Sequence, residues 1–378
     1  MQKTDPIFVN VESVDDPDDG ILVETTPNPT TTTAPPSINE VKIDVTAGAT
    51  IETTELSKIE NMLLLALNAQ TGLNKTLFDL PQAVKYIEQA NELIKVLDPA
   101  LSVRSRFKQL ADALQAMVIL ERGGWNGWYV RPQDHTLNLL LPDYRSYSSL
   151  QPMHPPQEDA DGSLLNQLHW LPSFLRLYCE FSRTLIWQPS QADFRSAYCI
   201  VADMMRAVDG HSKSKSNPQP LAMTLLGWCY SHGLAIACTV KALEDAKLLW
   251  LAAADQGCLL ASYLYSLQFG EHKGMDKLAE QNFCRAQLAE ATRLREEWKL
   301  KEALALVQKA LAQGCVLAHE TMGDVELQYT CRKKNAMKEF EKAVEYGSPE
   351  ARVKLAALHE AIAVELRRDP TFNVGSVV

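Results

Sequence analysis

The sequence predicts an all-α fold: an α-solenoid of stacked helix pairs, preceded by an N-terminal helical module and a disordered N-terminal arm. Three observations carry this expectation. Small residues recur at helical spacings from Leu221 to His359. Apolar residues fall three and four apart in several stretches between Thr54 and Gly123, the pattern of helices with one buried side. Residues 1–50 are poor in apolar side chains and read TTPNPTTTTAPP from Thr25 to Pro36. Such a composition buries too little surface to offset the entropy of ordering it.

In the repeat region the spacing runs Ala, seven residues to Ala, four to Gly, four to Ala. It occurs as Ala246, Ala253, Gly257 and Ala261, as Ala303, Ala310, Gly314 and Ala318, and as Ala336, Ala343, Gly347 and Ala351. Seven residues are two helical turns, so the first two Ala share a stripe that a neighbouring helix can approach closely. The Gly stands where the helix must stop, because a helix end favours a residue that tolerates the left-handed conformation. The last Ala opens the next helix. Four residues on comes an apolar residue and then a small one: Leu226-Gly227 after Ala222, Tyr265-Ser266 after Ala261, Met322-Gly323 after Ala318 and Leu355-Ala356 after Ala351. Helix–turn–helix units stacked in series follow from this pattern. The period is 33 residues from Ala246 to Ala279 and from Ala303 to Ala336, but only 24 from Ala279 to Ala303. Glu290 and Leu294 stand where Gly and Ala belong, so that unit is expected to be degenerate or to have shorter helices.

Ala222, Leu226-Gly227, Tyr230, Gly233, Ala246, Trp250, Ala253-Ala254, Gln256-Gly257 and Ala261 together resemble a Sel1-like repeat, a relative of the tetratricopeptide repeat. Gly314, Ala318, Met322-Gly323, Ala336, Ala343, Gly347 and Ala351 resemble another, and Glu297 to Gly314 is similar to a plain tetratricopeptide helix pair. The resemblance covers roughly 140 of the 378 residues. Cys238 and Thr239 depart from it, standing where the family usually has Gly-Val and an acidic residue. The resemblance implies a scaffold or adaptor, of a kind that rarely does chemistry, and it places Trp250, Tyr263 and Tyr265 between helices.

Upstream of the repeats, Leu56, Ile59, Leu63 and Leu67 form the first helical stripe, with structure expected from about Thr54. Pro81 opens a second helix lined by Val84, Ile87, Ile94 and Leu97. Ser102 heads a third, lined by Val103, Phe107, Leu110, Leu114 and Met117 and stopped by Gly123-Gly124. An aromatic, Pro-rich loop follows. Helices resume at Leu164 and at Pro172, and Ser190 with Asp193 forms a capping box for another. The expected segments are a disordered arm (1–50), a helical module (51–123), the loop (124–162), a helical pair (163–210) and the repeat domain (221–366).

The net charge of −10 is uneven, with −9 of it in residues 1–60. The near-neutral remainder offers no basic footprint for nucleic acid and no polybasic membrane patch. No apolar run is long enough to span a bilayer, and Met1 to Asn10 lacks the apolar segment of a secretory signal. All eight Cys lie from Cys179 onward. Their spacing is not that of a disulfide framework, so free thiols in a reducing, cytoplasmic setting are expected.

Several motifs have chemical counterparts that fail on context. Asp15-Asp16-Pro17-Asp18-Asp19 contains the letters of a magnesium–diphosphate motif, but that chemistry needs the carboxylates on one face of a buried helix. As a calcium loop the stretch fails at Pro17 and Thr26. Cys229 with His232, and Cys315 with His319, have ligand-like spacing, yet a structural zinc needs four ligands. Gly123-Gly124 with Gly127 is no phosphate loop, and Asn74-Lys75-Thr76 is a glycosylation sequon only in a secreted chain. Trp125, Trp128, Tyr129 and Arg131 are the candidate partner-binding cluster, because large aromatics and Arg are enriched at binding hot spots. The functional expectation is a non-enzymatic scaffold or adaptor, without cofactor or metal, that recruits a protein partner in the concave repeat surface. The alternatives are a structural subunit of a larger assembly and an enzyme with its site at 125–156.

Overall fold

The computed structural model describes residues 48–123, 163–184, 191–209, 218–233, 239–270, 274–329 and 332–368. Most of the expected disordered arm, the whole aromatic loop and Ser190 lie outside these residues. All regular structure among the described residues is helical, as the sequence predicts.

Three helices come first: α1 (Gly48–Thr71), α2 (Leu80–Val96) and α3 (Ser102–Gly123). Helix α1 starts some six residues before Thr54, in a stretch without Pro to block helical extension. Its stripe is buried as expected, with Ile59, Leu63 and Leu67 at 0% exposure. A left-handed Gly72 and a short 3-10 turn (Leu73–Lys75) end it, and an extended strap (76–79) leads to α2. Asp79 caps α2 by accepting from the Gln82 N–H at 2.9 Å, with Pro81 in the first turn. The three helices pack pairwise on one another.

Next come α4 (Leu164–Gln167), α5 (Leu171–Thr184) and α6 (Gln191–Asp209). Helices α4 and α5 pack on α3, and α6 packs on α7 (Gln219–His232), which begins the repeats. The solenoid continues through α8 (Val240–Asp255), α9 (Leu259–Phe269), α10 (Met275–Glu280), α11 (Cys284–Glu296), α12 (Leu300–Ala312), α13 (Ala318–Tyr329), α14 (Lys333–Glu345) and α15 (Pro349–Arg368). Each packs on the next. Helices α7, α9, α11, α13 and α15 are the first helices of their pairs, called A here, and α8, α10, α12 and α14 are the B helices.

Every B helix ends in the same way. A left-handed residue, Gly257, Asn282, Gly314 or Gly347, has φ of +90°, +69°, +77° or +95°. The next N–H reaches back to a carbonyl five residues earlier: Cys258 to Ala253, Phe283 to Leu278, Cys315 to Ala310 and Ser348 to Ala343, at 2.9–3.1 Å. This is the helix stop that the glycines announced. It also corrects the expected register of the middle unit. Helix α10 has six residues and stops at Asn282 rather than Glu290, so shorter helices account for the 24-residue step. Ala279 lies in the last turn of α10 and does not open a unit, and Leu278 occupies the place of the second stripe Ala. Asn tolerates the left-handed region better than other non-glycine residues, so the stop survives without Gly.

The described residues from Gly48 onward form one compact unit. Its main core runs continuously from Ile59 in α1 to Val325 in α13, while Ala336, Phe340, Ala343, Ala351 and Leu358 form a separate cluster at the α14–α15 end.

Candidate functional site

The repeat signature builds two devices. The first is the Ala stripe: Ala246, Ala253, Ala303, Ala310, Ala336 and Ala343 on the B helices, and Ala222, Ala261, Ala318 and Ala351 on the A helices, are all at most 2% exposed. The second is a socket on the A helix, at the small residue five positions after its Ala. A Cβ on Gly227 would stand 2.7 Å from the Trp250 Nε1, and one on Gly323 would stand 2.5 Å from the Phe340 Cε1. Trp250 and Phe340 each lie four residues after the first stripe Ala of their B helix, Ala246 and Ala336, so the rings enter where the A helix has no side chain. The Trp250 N–H is satisfied by the Thr224 carbonyl at 2.9 Å.

The turns between B and A helices form a row, and the chain's own N-terminal helices cover the first part of it. A Cβ on Gly72 would collide with the Leu259 side chain at 2.4 Å. The strap inserts Phe78 against Phe283, with ring centroids 4.9 Å apart. Its backbone is gripped on both sides: Asn282 donates to the Phe78 carbonyl at 3.2 Å, and the Leu80 N–H donates to Gln313 Oε1 at 2.9 Å. The end of α3 closes the contact. Val316 N–H donates to the Arg122 carbonyl at 2.9 Å, Arg122 Nε donates to the Gln313 carbonyl at 3.2 Å, and Arg285 donates to the Leu120 carbonyl at 3.0 Å.

A charge pair lies inside this junction. Glu121 on α3 and Arg285 on α11 are 1% and 7% exposed, with Oε2 and Nε 3.4 Å apart. Burial, the largest influence, would weaken the Arg285 guanidinium as a base, but the Glu121 carboxylate together with Tyr263, Cys284 and Tyr178 outweighs it and the net direction is upward. Cys284 and Cys315 lie beside the pair in mutual hydrogen-bonding contact. That bond pushes the Cys284 thiol up and holds the Cys315 thiol down. Both are free and buried.

The A helices carry a second polar group nearer the C-terminal end. Arg295 on α11 pairs with Asp324 on α13 at 2.5 Å, and Lys354 on α15 reaches both Asp324 and Glu320 at 2.8 Å. These side chains are 17–37% exposed and link three successive A helices across one face. His319 pairs with Glu339 at 2.7 Å and stacks on Tyr346.

The structure separates the residues whose spacing suggested metal ligation. Burial pushes the Cys229 thiol far up, while His232 faces the Trp228 carbonyl at 3.0 Å and stacks on that ring. Cys315 turns toward Cys284, and His319 toward Glu339. Among the described residues no three His, Cys, Asp or Glu side chains gather as a metal site, and no helix is long and apolar enough to cross a membrane. Trp125, Trp128, Tyr129 and Arg131 lie outside the described residues. Sequence reasoning missed the covered turn row and its residues Phe78, Glu121, Asn282, Arg285 and Gln313. Glu121, within the apolar run Val118-Ile119-Leu120, was the available signal. It missed Trp298 as well, which holds φ +60° at the α11–α12 turn and is 74% exposed.

Fold and site together define a helical-repeat solenoid whose turn row is partly closed by its own N-terminal helices. The chain is similar to a Sel1 repeat protein from Oxalobacter formigenes of known crystal structure, at 19% identity and a TM-score of 0.36, over 85% of this chain and 98% of that one. A scan against family models found no match, and a search of curated proteins found none either.

Proposed function

We propose that this chain is a non-enzymatic interaction scaffold or adaptor that recruits a protein partner on the A-helix face of its repeats. The observation that supports this most is the Arg295–Asp324–Lys354–Glu320 group. Stacked helix pairs present extended binding surfaces on one face, and here three successive A helices bring partly exposed, oriented charges to such a face without enclosing them. Paired charges on an open face favour specificity and on-rate over raw affinity.

Deleting Leu221 to His359 would not test this cleanly, because α1–α3 share a core with those residues. The test is affinity capture with the full chain and with an Arg295→Ala/Glu320→Ala/Lys354→Ala variant, quantified by mass spectrometry. A protein retained by the wild type and lost from the variant supports recruitment on this face. A protein held at fixed stoichiometry by both points to a structural subunit of a larger assembly. No specific protein on either chain overturns the reading.

A further inference from the structure

Two features are left over from the packing of the chain on itself. The first is Trp298. The A helices α7 and α9 stop on Gly233 and Gly270, each left-handed at φ +70°. Helix α11 stops in the same way, with the Lys299 N–H reaching back to the Leu294 carbonyl at 2.9 Å, but its left-handed residue is Trp298 at φ +60°. A bulky side chain in this region is strained, and such strain concentrates at functional positions. Burial does not account for it, since the ring is 74% exposed. Trp170 and Trp250 each donate the indole N–H to a carbonyl at 2.9 Å, whereas the Trp298 N–H has no acceptor among the described residues. The second feature is a groove of about 660 Å³ on the turn row, between the strap, the α8–α9 turn, α9 and α10. Phe78 turns inward from the strap and leaves Leu77 59% exposed on the groove wall, with Leu259 and Leu278 as further apolar walls. Ser266 lines the groove at 7% exposure, and its hydroxyl makes no hydrogen bond among the described residues. Lys277 is the one charged side chain on the lining, and among the described residues it has no ion-pair partner.

We infer that this groove receives Trp298 from a second copy of the chain. Three complements name the occupant. The apolar walls match the faces of the indole. The Ser266 hydroxyl supplies the acceptor that the indole N–H lacks, and a polar group at that depth is costly to leave unpaired. Lys277 matches Glu296, which stands two residues before Trp298, is exposed and has no ion-pair partner among the described residues. A Trp with a charged surround is also the usual make-up of an interface anchor. Trp298 cannot serve the groove of its own molecule. Helix α11 starts at the turn row and runs 13 residues away from it, which puts Trp298 about 20 Å off at the opposite edge of the stack. Ring and groove are different surfaces, so the contact is heterologous and joins copies head to tail. It uses none of the Arg295–Asp324–Lys354–Glu320 group and so stands or falls apart from the recruitment reading.

The test is sedimentation velocity of the full chain across a series of concentrations, with two variants. Trp298→Gly removes the ring and relieves the left-handed strain, so its thermal stability should not fall below that of the wild type. Leu77→Glu blocks the groove at an exposed position. Circular dichroism checks that both fold. The wild type should show a sedimentation coefficient that rises with concentration. Each variant alone should associate at least about tenfold more weakly, or about 1.4 kcal/mol. An equimolar mixture of the two should give a 1:1 dimer and nothing larger, because one variant keeps only the groove and the other only the ring. A wild type that stays monomeric throughout, a variant that associates as well as the wild type, or a mixture that stays monomeric overturns the inference.

Discussion

The turn row of the solenoid has two kinds of neighbour. At Gly257, Asn282 and Gly314 the neighbour is distant in sequence: Gly72, the Phe78 strap and the end of α3. At Gly347 the turn is held by its own repeats, with Ser348 donating to Glu320 at 2.8 Å and Tyr346 stacked on His319. The first kind merges helices from α1 to α13 into one core, and the second leaves α14 and α15 with a small core of their own. A solenoid is normally a sum of nearest-neighbour contacts. Here part of it is instead tied together by long-range contacts, so the two ends of the same repeat array should differ in cooperativity and in openness to partners.

The largest test compares two buried Phe residues. Phe78 and Phe340 are both 0% exposed, so replacing either with Ala removes similar apolar area at a local cost of about 3–5 kcal/mol. Phe78→Ala should take that full amount from the unfolding free energy of the whole chain, read as a lower urea midpoint at unchanged slope. Phe340→Ala should abolish amide protection in α14 and α15 while leaving α1–α3 nearly as protected as before. Equal global losses would mean that the array unfolds as one and that the comparison is wrong. The buried pair sharpens the same point. Arg285→Ala strands Glu121 and should cost about 3–5 kcal/mol, whereas Glu121→Leu with Arg285→Met should recover most of that loss.

Socket substitutions come next. Gly227→Ala and Gly323→Ala place a methyl within 2.7 Å of Trp250 and within 2.5 Å of Phe340. Overpacking of this kind costs about 1–3 kcal/mol. Gly227→Ala should act on the main core and move the global transition. Gly323→Ala should register mainly as faster hydrogen exchange in α14. If both act only locally, covering the turn row contributes nothing to cooperativity.

Much of this fold was legible because its rules are local. The stripe of Ile59, Leu63 and Leu67, Pro81 in the first turn of α2, and the Ala and Gly spacings of α8, α12 and α14 all act within one or two helices. Two features escaped for opposite reasons. Helix α10 escaped because Asn282 does the work of Gly with a different letter, so the count from Ala279 ran past the true stop. The covered turn row escaped because its partners lie far apart: Arg285 bonds a carbonyl 165 residues away, and Leu80 a side chain 233 away. No periodicity encodes such a pairing. A carboxylate in an apolar helix face signals that a partner exists but not where it lies. The same limit holds for the A-face charges, since Arg295, Asp324 and Lys354 look like ordinary solvated residues until three helices stack.

The smallest effect is one of pH, and it separates the two ends by chemistry. At the α14 end, burial would raise the Glu339 carboxyl, but its bonds to Lys342 and His319 outweigh this and hold it below the ordinary 4.5. A carboxyl lowered by folding adds stability above its unfolded pKa and loses it as pH falls through the folded value. Burial would likewise lower Lys354, yet Asp324 and Glu320 hold it above the ordinary 10.5. Its contribution is present below that value and is lost as pH rises through the folded one. The α14–α15 end is therefore at its firmest between these limits and loosens on either side. Each of these partly exposed pairs is worth only about 0.2–1 kcal/mol. The covered end depends chiefly on packing around Phe78 and on Arg285, whose charge persists throughout this range. Protection factors for the Phe340 and Leu358 amides should then fall before those of Leu63 and Leu114 as pH drops below the ordinary 4.5 of Glu339. If α1 and α3 loosen first, the long-range contacts are the weaker part of the molecule, and the ranking of the two ends must be reversed.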